Sequence, residues 1–180
     1  MNIPVTKRLN FKLMTQHDWP KLYELDQDPA VMHYLTRGVP STLEQIKDVS
    51  VPRMLAYRNE EKGWGLWQVT QTHTNTFIGW VLVRPMQFFS DTPNFTDIEI
   101  GWRFKQASWG QGYASEAAQA ICLALEKQPH VKVISAKAVV DNTASIKVMK
   151  KLGMKLIKHY SEWDEYGELP SVLYAKRLIK

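Results

Sequence analysis

The spacing of apolar residues changes several times along this chain. Residues 8–13 alternate between apolar and polar positions, which predicts a β-strand with one apolar face. Segments rich in β-branched and aromatic residues predict six further strands, at 63–70, 76–84, 96–104, 131–140, 155–162 and 171–178. The polar tract 71–75 predicts a hairpin between the first two of these six strands, and the acidic tract 164–168 predicts a turn between the last two.

Helix-forming segments lie between these strands. Asp18 and Asp28 are predicted to cap the N-termini of two short helices. Ser41 and Glu44 have the spacing of a capping box and predict a longer helix, which Pro52 should kink or interrupt.

Two further helices are predicted in the second half of the chain. Residues 112–127 carry an apolar stripe at helical spacing. Residues 142–152 predict a shorter helix that ends at Gly153 in a left-handed cap, with Met154 folded back on Met149. The order of elements predicts a single α/β domain over residues 1–180, with a mixed sheet and a right-handed parallel crossover within residues 96–140.

Composition narrows the class of protein. No stretch approaches 18 apolar residues, so we expect no membrane span, and the first residues lack the apolar core of a secretion signal. The only cysteine, Cys122, cannot form an internal disulfide and is expected to be inert in the core. These features favour the cytoplasm.

The net charge is +5 and the isoelectric point is about 9.2, which suits an anionic partner such as a phosphorylated cofactor, an acidic protein or nucleic acid. The charges are scattered, however, and the densest cluster is only Lys147, Lys150 and Lys151. We therefore do not expect nucleic acid binding. The five histidines lack metal-ligand spacing, so no metal site is expected.

The segment 96–126 carries the most specific chemistry. Gly110 and Gly112 lie in a short loop between a predicted strand and a predicted helix. Unpaired N–H groups at a helix start, together with the helix dipole, form an anion site, to which Ser115 can add a hydroxyl. A Gly-x-Gly loop alone is more often a tight turn. Neither a Walker lysine nor the three-glycine dinucleotide pattern is present.

Four motifs around this loop occur in order. They are Glu-Ile-Gly-Trp at 99–102, Trp-Gly-Gln-Gly-Tyr-Ala-Ser-Glu-Ala at 109–117, Asn-x-x-Ser at 142–145 and Lys-Leu-Gly-Met at 151–154. With them the chain resembles the GCN5-related N-acetyltransferase (GNAT) superfamily, in its RimJ/RimL-like branch of ribosomal-protein N-acetyltransferases. Many members of the wider superfamily have Gln or Arg at the position of Trp109, whereas the RimJ/RimL-like branch has Trp there.

The resemblance implies a GNAT-type α/β (α+β) fold. This fold has a mixed, mostly antiparallel sheet of six to seven strands with a splayed central parallel pair, flanked by about four helices. Acetyl-CoA would be the co-substrate, with its pantetheine in the splayed gap and its pyrophosphate on the loop. The implied cofactor-binding residues are Gly101, Trp102, Arg103, Phe104, Trp109, Gly110, Gln111, Gly112, Tyr113, Ala114, Ser115 and Asn142.

The implied reaction is direct attack of an amine on the thioester. Glu99 is the candidate base, or else a structural carboxylate paired with a neighbouring strand. Ser145 would protonate the leaving thiolate, or else be a small residue on a buried stripe. Asn142 can serve as a helix N-cap and as a pantetheine ligand at once. Glu116 is assigned to structure, as a first-turn acid that complements the helix dipole.

Three functions remain open at this point. The enzyme would acetylate an α-amine, possibly of an acidic or ribosomal protein. Alternatively, it would acetylate a polyamine, amino sugar or antibiotic, with acceptor carboxylates from Asp97, Glu99, Asp164, Glu165 and Glu168, of which the last three also fit a solvated turn. The third function is a non-catalytic CoA-binding module.

A cluster of tryptophans is also left open, as is the oligomeric state, monomer or homodimer. Core packing is favoured over an acceptor wall or a dimer surface for Trp64, Trp67, Trp80 and Trp102.

Overall fold

The computed structural model describes residues 1–164 and 167–179. Within these ranges the chain forms seven strands: Leu9–Leu13 (β1), Gly65–Gln71 (β2), Phe77–Met86 (β3), Asn94–Phe104 (β4), Val133–Val139 (β5), Lys155–Asp164 (β6) and Gly167–Arg177 (β7). The α-helices are Trp19–Asp26 (α1), Pro29–Thr36 (α2), Val51–Ala56 (α3), Tyr113–Glu126 (α4) and Thr143–Lys151 (α5). The predicted strands are all present, with bounds shifted by a few residues.

The seven strands form one sheet in the order β1-β2-β3-β4-β5-β7-β6. Each recorded pair of neighbours is antiparallel except β4 and β5, which are parallel. The predicted mixed, mostly antiparallel sheet is therefore confirmed, with five α-helices in the described part of the chain where about four were expected. The predicted acidic turn includes residues 165 and 166, which lie outside the described residues.

The main core lies between one face of the sheet and α4. Ile98, Ile100 and Phe104 of β4 belong to the same buried cluster as Ile121 and Leu125 of α4. Each such side chain stabilises the fold by about 1.5–3 kcal/mol on burial. A smaller cluster covers the opposite face under α1 and α3, and it comprises Met14, Leu22, Ile46, Val51, Met54 and Leu66.

Trp64 and Trp67 are buried in the main core, as predicted, and the Trp67 indole donates to the carbonyl of Gly63 at 2.8 Å. Trp80 and Trp102 are half-buried. None of the helices within residues 1–164 and 167–179 is long and apolar enough to cross a membrane.

The predicted N-cap positions at Asp18 and Asp28 are confirmed, and the third predicted cap is displaced by one residue. Asp28 does cap α2, since its carboxylate accepts the N–H of Ala30 at 2.9 Å. Asp18 occupies the N-cap position of α1 but makes no side-chain cap bond there; its carboxylate instead accepts the N–H of Thr15 at 2.9 Å.

The capping box before the third helical segment is one residue later than predicted. The N–H of Thr42 donates to the Gln45 side chain at 2.7 Å, and the N–H of Gln45 donates to the Thr42 hydroxyl at 3.1 Å. Ser41 instead donates to Asp26 at 2.9 Å. The helix also passes through Pro52: a π-helical turn, Gln45–Ser50, leads directly into α3. This wider turn accommodates a residue that lacks an N–H.

The predicted ending of α5 is confirmed. Gly153 has a φ of +78°, and its N–H donates to the carbonyl of Lys150 at 3.0 Å. The N–H of Met154 donates to the carbonyl of Met149 at 3.1 Å, and both methionine side chains are buried. These two bonds define a Schellman motif.

Gly79 provides a test of the packing between β3 and β4. Its φ is +154°, and an added Cβ would lie 2.4 Å from the carbonyl oxygen of Arg103. We expect Gly79→Ala to lower the free energy of unfolding by about 2 kcal/mol or more, because backbone atoms must move. Chemical denaturation measures this change.

Gly101→Ala is the matched control on the facing strand. There an added Cβ would make only ordinary contacts, at 3.6 Å or more, with Leu82. We expect a change within about 0.5 kcal/mol. Equal losses of unfolding free energy in the two variants would contradict the close approach of Gly79 to the Arg103 carbonyl.

Candidate active site

A gap opens between the two parallel strands, β4 and β5. Their recorded pairing covers Asp97 with Val133, Ile98 with Ile134 and Glu99 with Ser135. Beyond Glu99, β4 stays bonded to β3 as far as Phe104, and β5 stays bonded to β7 as far as Val139. Each strand therefore follows its outer neighbour, and the splayed parallel pair implied by the sequence resemblance is present.

The backbone of β4 offers polar groups to this gap. The N–H of Lys105 donates to the carbonyl of Ile78 on the β3 side at 2.9 Å. Because backbone groups alternate in direction along a strand, Trp102 and Phe104 direct theirs toward β5. The Trp109 indole already donates to the Phe104 carbonyl at 2.8 Å. Both backbone groups of Trp102 and the N–H of Phe104 therefore border the gap.

The glycine loop next to the gap has the conformation of an anion site. Gly110 and Gly112 have φ values of +73° and +78°, a left-handed conformation that favours glycine. An added Cβ at Gly110 would meet nothing within 4 Å, so the loop is open on that side.

The start of α4 presents unbonded N–H groups. Its N-cap is Gly112, which has no capping side chain, and the first N–H of the helix to bond is that of Glu116, at 3.0 Å from the Gly112 carbonyl. Among the described residues, no hydrogen-bond acceptor is found for the backbone N–H groups of residues 113–115. These donors and the positive end of the helix dipole fit the diphosphate of a coenzyme A molecule.

Arg8, which the sequence analysis did not single out, braces this loop. Its Nε donates to a Glu116 carboxylate oxygen at 2.6 Å, and its Nη1 donates to the Gln111 carbonyl at 2.9 Å. Its guanidinium also lies 4.4 Å from the centre of the Tyr113 ring. Burial opposes the charge of Glu116, but hydrogen bonds from Thr6 and Arg8 outweigh it and lower the pKa of this carboxyl.

Other side chains of the loop are anchored to the protein. The Gln111 amide donates to the Ala107 carbonyl at 2.8 Å, and the Tyr113 hydroxyl accepts from Gln71 at 3.0 Å. Arg103 donates to Asp26 and lies 4.9 Å from the Trp80 ring centre. At Gln111 and Tyr113 the side chains are thus engaged within the protein, and the Arg103 side chain, on β4, is likewise held by its partners.

Glu99 is buried and paired across the sheet. The Nε of Arg84, on β3, donates to its carboxylate at 2.9 Å. Burial, and then the charge of Glu99, raise the pKa of Asp97. Burial is also the main cause that raises the pKa of Tyr57 to about 12 and that of Tyr160 above its usual range, and in both the Glu99 charge adds to the increase.

Asn142 and Ser145 lie at the far side of the gap, at the start of α5. The Asn142 side-chain oxygen accepts the N–H of Ser145 at 3.1 Å, which confirms its role as an N-cap. This bond leaves the amide nitrogen of Asn142 available as a donor. Ser145 is half-buried, on the same helix face as buried Met149.

The sequence predicts neither a reactive cysteine nor a metal site. Cys122 is buried on α4, and burial raises the pKa of its thiol to about 12, so it is a core residue without a thiolate at neutral pH. Within residues 1–164 and 167–179, no group of three His, Cys, Asp or Glu side chains has the arrangement to hold a metal ion.

Comparison with known proteins gives consistent matches. Residues 8–155 match the acetyltransferase (GNAT) domain family. A protein of Bacillus subtilis (strain 168), YnaD, named as an uncharacterized N-acetyltransferase, is 33% identical over 171 residues, which cover 89% of this chain and 92% of that protein.

Solved structures of similar proteins share the fold. A GNAT-family acetyltransferase from Bacillus anthracis has a TM-score of 0.79 at 26% identity, with 98% of each chain covered. RimL, a ribosomal L7/L12 α-N-protein acetyltransferase in complex with coenzyme A, has a TM-score of 0.77 at 18% identity, with 98% of this chain and 97% of that chain covered. The family match and the Bacillus subtilis relative show that this chain belongs to the acetyltransferase (GNAT) family, as an acyltransferase whose co-substrate is acetyl-CoA.

Proposed function

We propose that this acetyltransferase acts on the α-amine of a protein N-terminus, as enzymes of the RimJ/RimL-like branch do. The observation that carries the proposal is the internal pairing of carboxylates on the sheet face that bears Glu99. A polyamine or an aminoglycoside would need several unpaired carboxylates there, whereas a peptide N-terminus brings a single amine.

Glu99 and Glu162 on this face have partners within the chain. Asp97, two residues before Glu99 on β4, has one carboxylate oxygen without a hydrogen-bond partner among the described residues, and burial raises its pKa, which favours the uncharged form. Glu99 accepts from Arg84 at 2.9 Å. Glu162, on β6, accepts from Lys137 at 3.3 Å and from the Tyr160 hydroxyl at 3.1 Å. Such pairing removes most of the attraction for a polycation.

The remaining acidic residues considered above contribute little to this face. Ser135 of β5 is level with Glu99 and pairs with Ala175, so the odd-numbered residues of β7 share the Glu99 face. Glu168 therefore lies on the opposite face, where it is exposed and accepts from Ser161 at 2.5 Å, which favours the solvated turn over the acceptor cleft. The side chains of Asp164 and Glu165 lie outside the described residues.

The donor would be held by backbone groups. Pantetheine lies along Trp102 and Phe104 in the gap, a form of strand addition, and the Asn142 amide donates to it. The diphosphate lies on the N–H groups of residues 110–115, with the Ser115 hydroxyl beside them. The backbone of Gly101 and Arg103 bonds to β3 and supports this edge. A backbone N–H of the splayed strand polarises the thioester carbonyl.

Glu99 would act as the general base, directly or through water. An α-amine with a pKa of about 7.7–8.0 costs only ~1 kcal/mol to deprotonate at neutral pH, against roughly 4–5 kcal/mol for a lysine side chain. An α-amine therefore needs little help from a base, and one carboxylate suffices for it. Ser145 would return a proton to the leaving thiolate. We place the reaction in the cytoplasm, given the single buried cysteine.

An amine panel tests the choice of acceptor. With acetyl-CoA as donor, thiol release should be fastest with short peptides that carry a free N-terminus. We expect kcat/KM for spermidine and kanamycin to be at least about tenfold lower, because their additional cations find few unpaired carboxylates. Faster turnover of either small amine would replace the proposal with its alternative. Acetyl-CoA binding without turnover of any amine would indicate a binding module.

Replacement of the base tests the mechanism. Glu99→Gln should lower kcat by about 100-fold, since general-base catalysis typically contributes this much, and should leave the KM for acetyl-CoA within about twofold. The matched control is Glu126→Gln, which also breaks an ion pair, with Lys176 at 2.8 Å, on a different part of the fold. A normal rate in Glu99→Gln would remove Glu99 as base.

Substitution of Gly112 tests the donor site. Gly112→Val places a β-branched residue at a φ of +78° and should weaken CoA binding by about tenfold or more, because the loop must change conformation. Gly112→Asn should bind CoA within about threefold of wild type, since asparagine tolerates left-handed conformations. Isothermal calorimetry gives the affinities and thermal melting gives the folded state. Wild-type affinity in the valine variant would place the diphosphate elsewhere.

A further inference from the structure

The guanidinium of Arg8 is connected to three parts of the glycine loop and its helix. Besides the bonds to Glu116 and to the Gln111 carbonyl, its Nη2 lies 2.5 Å from Glu116 and 3.6 Å from where a Cβ of Gly112 would be. Arg8 precedes β1 and Glu116 belongs to α4, so these contacts join segments 108 residues apart.

The bond to Gln111 determines the direction of one donor. The peptide between Gln111 and Gly112 is trans, so its C=O and its N–H point in opposite directions. Because Arg8 holds the Gln111 carbonyl on one side of the loop, the Gly112 N–H points to the other side. A flip of this peptide would turn a carbonyl oxygen, rather than an N–H, toward a bound anion.

The charge of Arg8 is already matched inside the protein. Glu116 accepts from its Nε, forms an ion pair with its Nη2 and is itself held by the Thr6 hydroxyl at 2.6 Å. The guanidinium therefore acts less as a free cation for phosphate than as a rigid brace. A lysine could not reproduce this arrangement, because it lacks the planar fork that bonds a carbonyl and a carboxylate together while lying over a ring.

We propose that Arg8 is a positioning residue for the acetyl-CoA diphosphate, which fixes the Gln111–Gly112 peptide with its N–H toward the donor. This inference rests on the proposed donor site at residues 110–115. It assigns a binding function to a residue at the N-terminal edge of the sheet, outside the motifs of the glycine loop.

Steady-state kinetics with Arg8→Gln test the assignment. Loss of the brace leaves the peptide able to flip, so we expect the KM for acetyl-CoA and the Kd for CoA to rise by about tenfold. The kcat at saturating acetyl-CoA should stay within about twofold, because the reacting groups are untouched. Arg8→Lys should show most of the same increase, since charge alone does not restore the fork.

Arg58→Gln is the matched control. Arg58 also bonds a backbone carbonyl, that of Met14 at 2.9 Å, and a carboxylate, that of Glu60 at 2.6 Å, but far from α4 in the sequence and on other elements. Loss of folded protein in either variant would lower the apparent kcat and the melting temperature without a change in KM.

The outcomes separate this inference from the donor site itself. An unchanged KM in Arg8→Gln, or a fall in kcat alone, would overturn the positioning role, provided that Gly112→Val still loses CoA affinity. Wild-type CoA affinity in both Arg8→Gln and Gly112→Val would instead overturn the donor site on which the inference rests. A tenfold rise in KM confined to the Arg8 variants, with Arg58→Gln normal, would support it.

Discussion

The active site depends on the point at which β4 and β5 stop bonding to each other. Up to Glu99 and Ser135 the two strands form an ordinary parallel pair. Beyond that point β4 remains bonded to β3 and β5 to β7, so backbone groups that a closed sheet would pair are left for a ligand. Unpaired backbone groups cost free energy, and a bound pantetheine offsets this cost because it completes their hydrogen bonds. The separation of the two strands thus creates the binding site.

Arginine–carboxylate pairs hold the parts of this site in place. Arg8 joins the chain before β1 to α4 through Glu116, and Arg84 joins β3 to β4 through Glu99. Arg103 joins β4 to α1 through Asp26. Pairs that are partly buried gain little net stability, because desolvation offsets the attraction. Their value here is geometric, since each fixes an element that borders the gap or the loop. They also account for the few unpaired carboxylates on the acceptor face.

Local sequence patterns predicted much of this structure. The seven strands follow from β-branched and aromatic spacing, and the Schellman ending at Gly153 follows from glycine and the methionines around it. The capping box was misplaced by one residue because Ser41 and Thr42 are both good caps, and only the tertiary bond of Ser41 to Asp26 decides between them. The gap itself came from the family resemblance, since strand separation leaves no periodic signal.

Long-range partners could not be predicted from the sequence. Nothing local relates Arg8 to Gln111, or Arg103 to Asp26, because such pairs depend on how the finished sheet and helices meet. The face of Glu168 likewise depends on the register of β7, and a shift of one residue would reverse it. Sequence patterns thus identified the regularly spaced polar residues. They did not identify the hydrogen bonds that orient the backbone of the loop and the gap.

The central claim is that backbone amides of the loop and the splayed strand hold the acetyl donor. A titration of ¹⁵N-labelled protein with CoA, followed by two-dimensional NMR, observes these amides directly. We predict that the largest shifts occur at Gly110, Gly112, Tyr113, Ala114 and Trp102. Saturable CoA binding with these resonances unmoved, or no binding to the folded protein, would contradict the account.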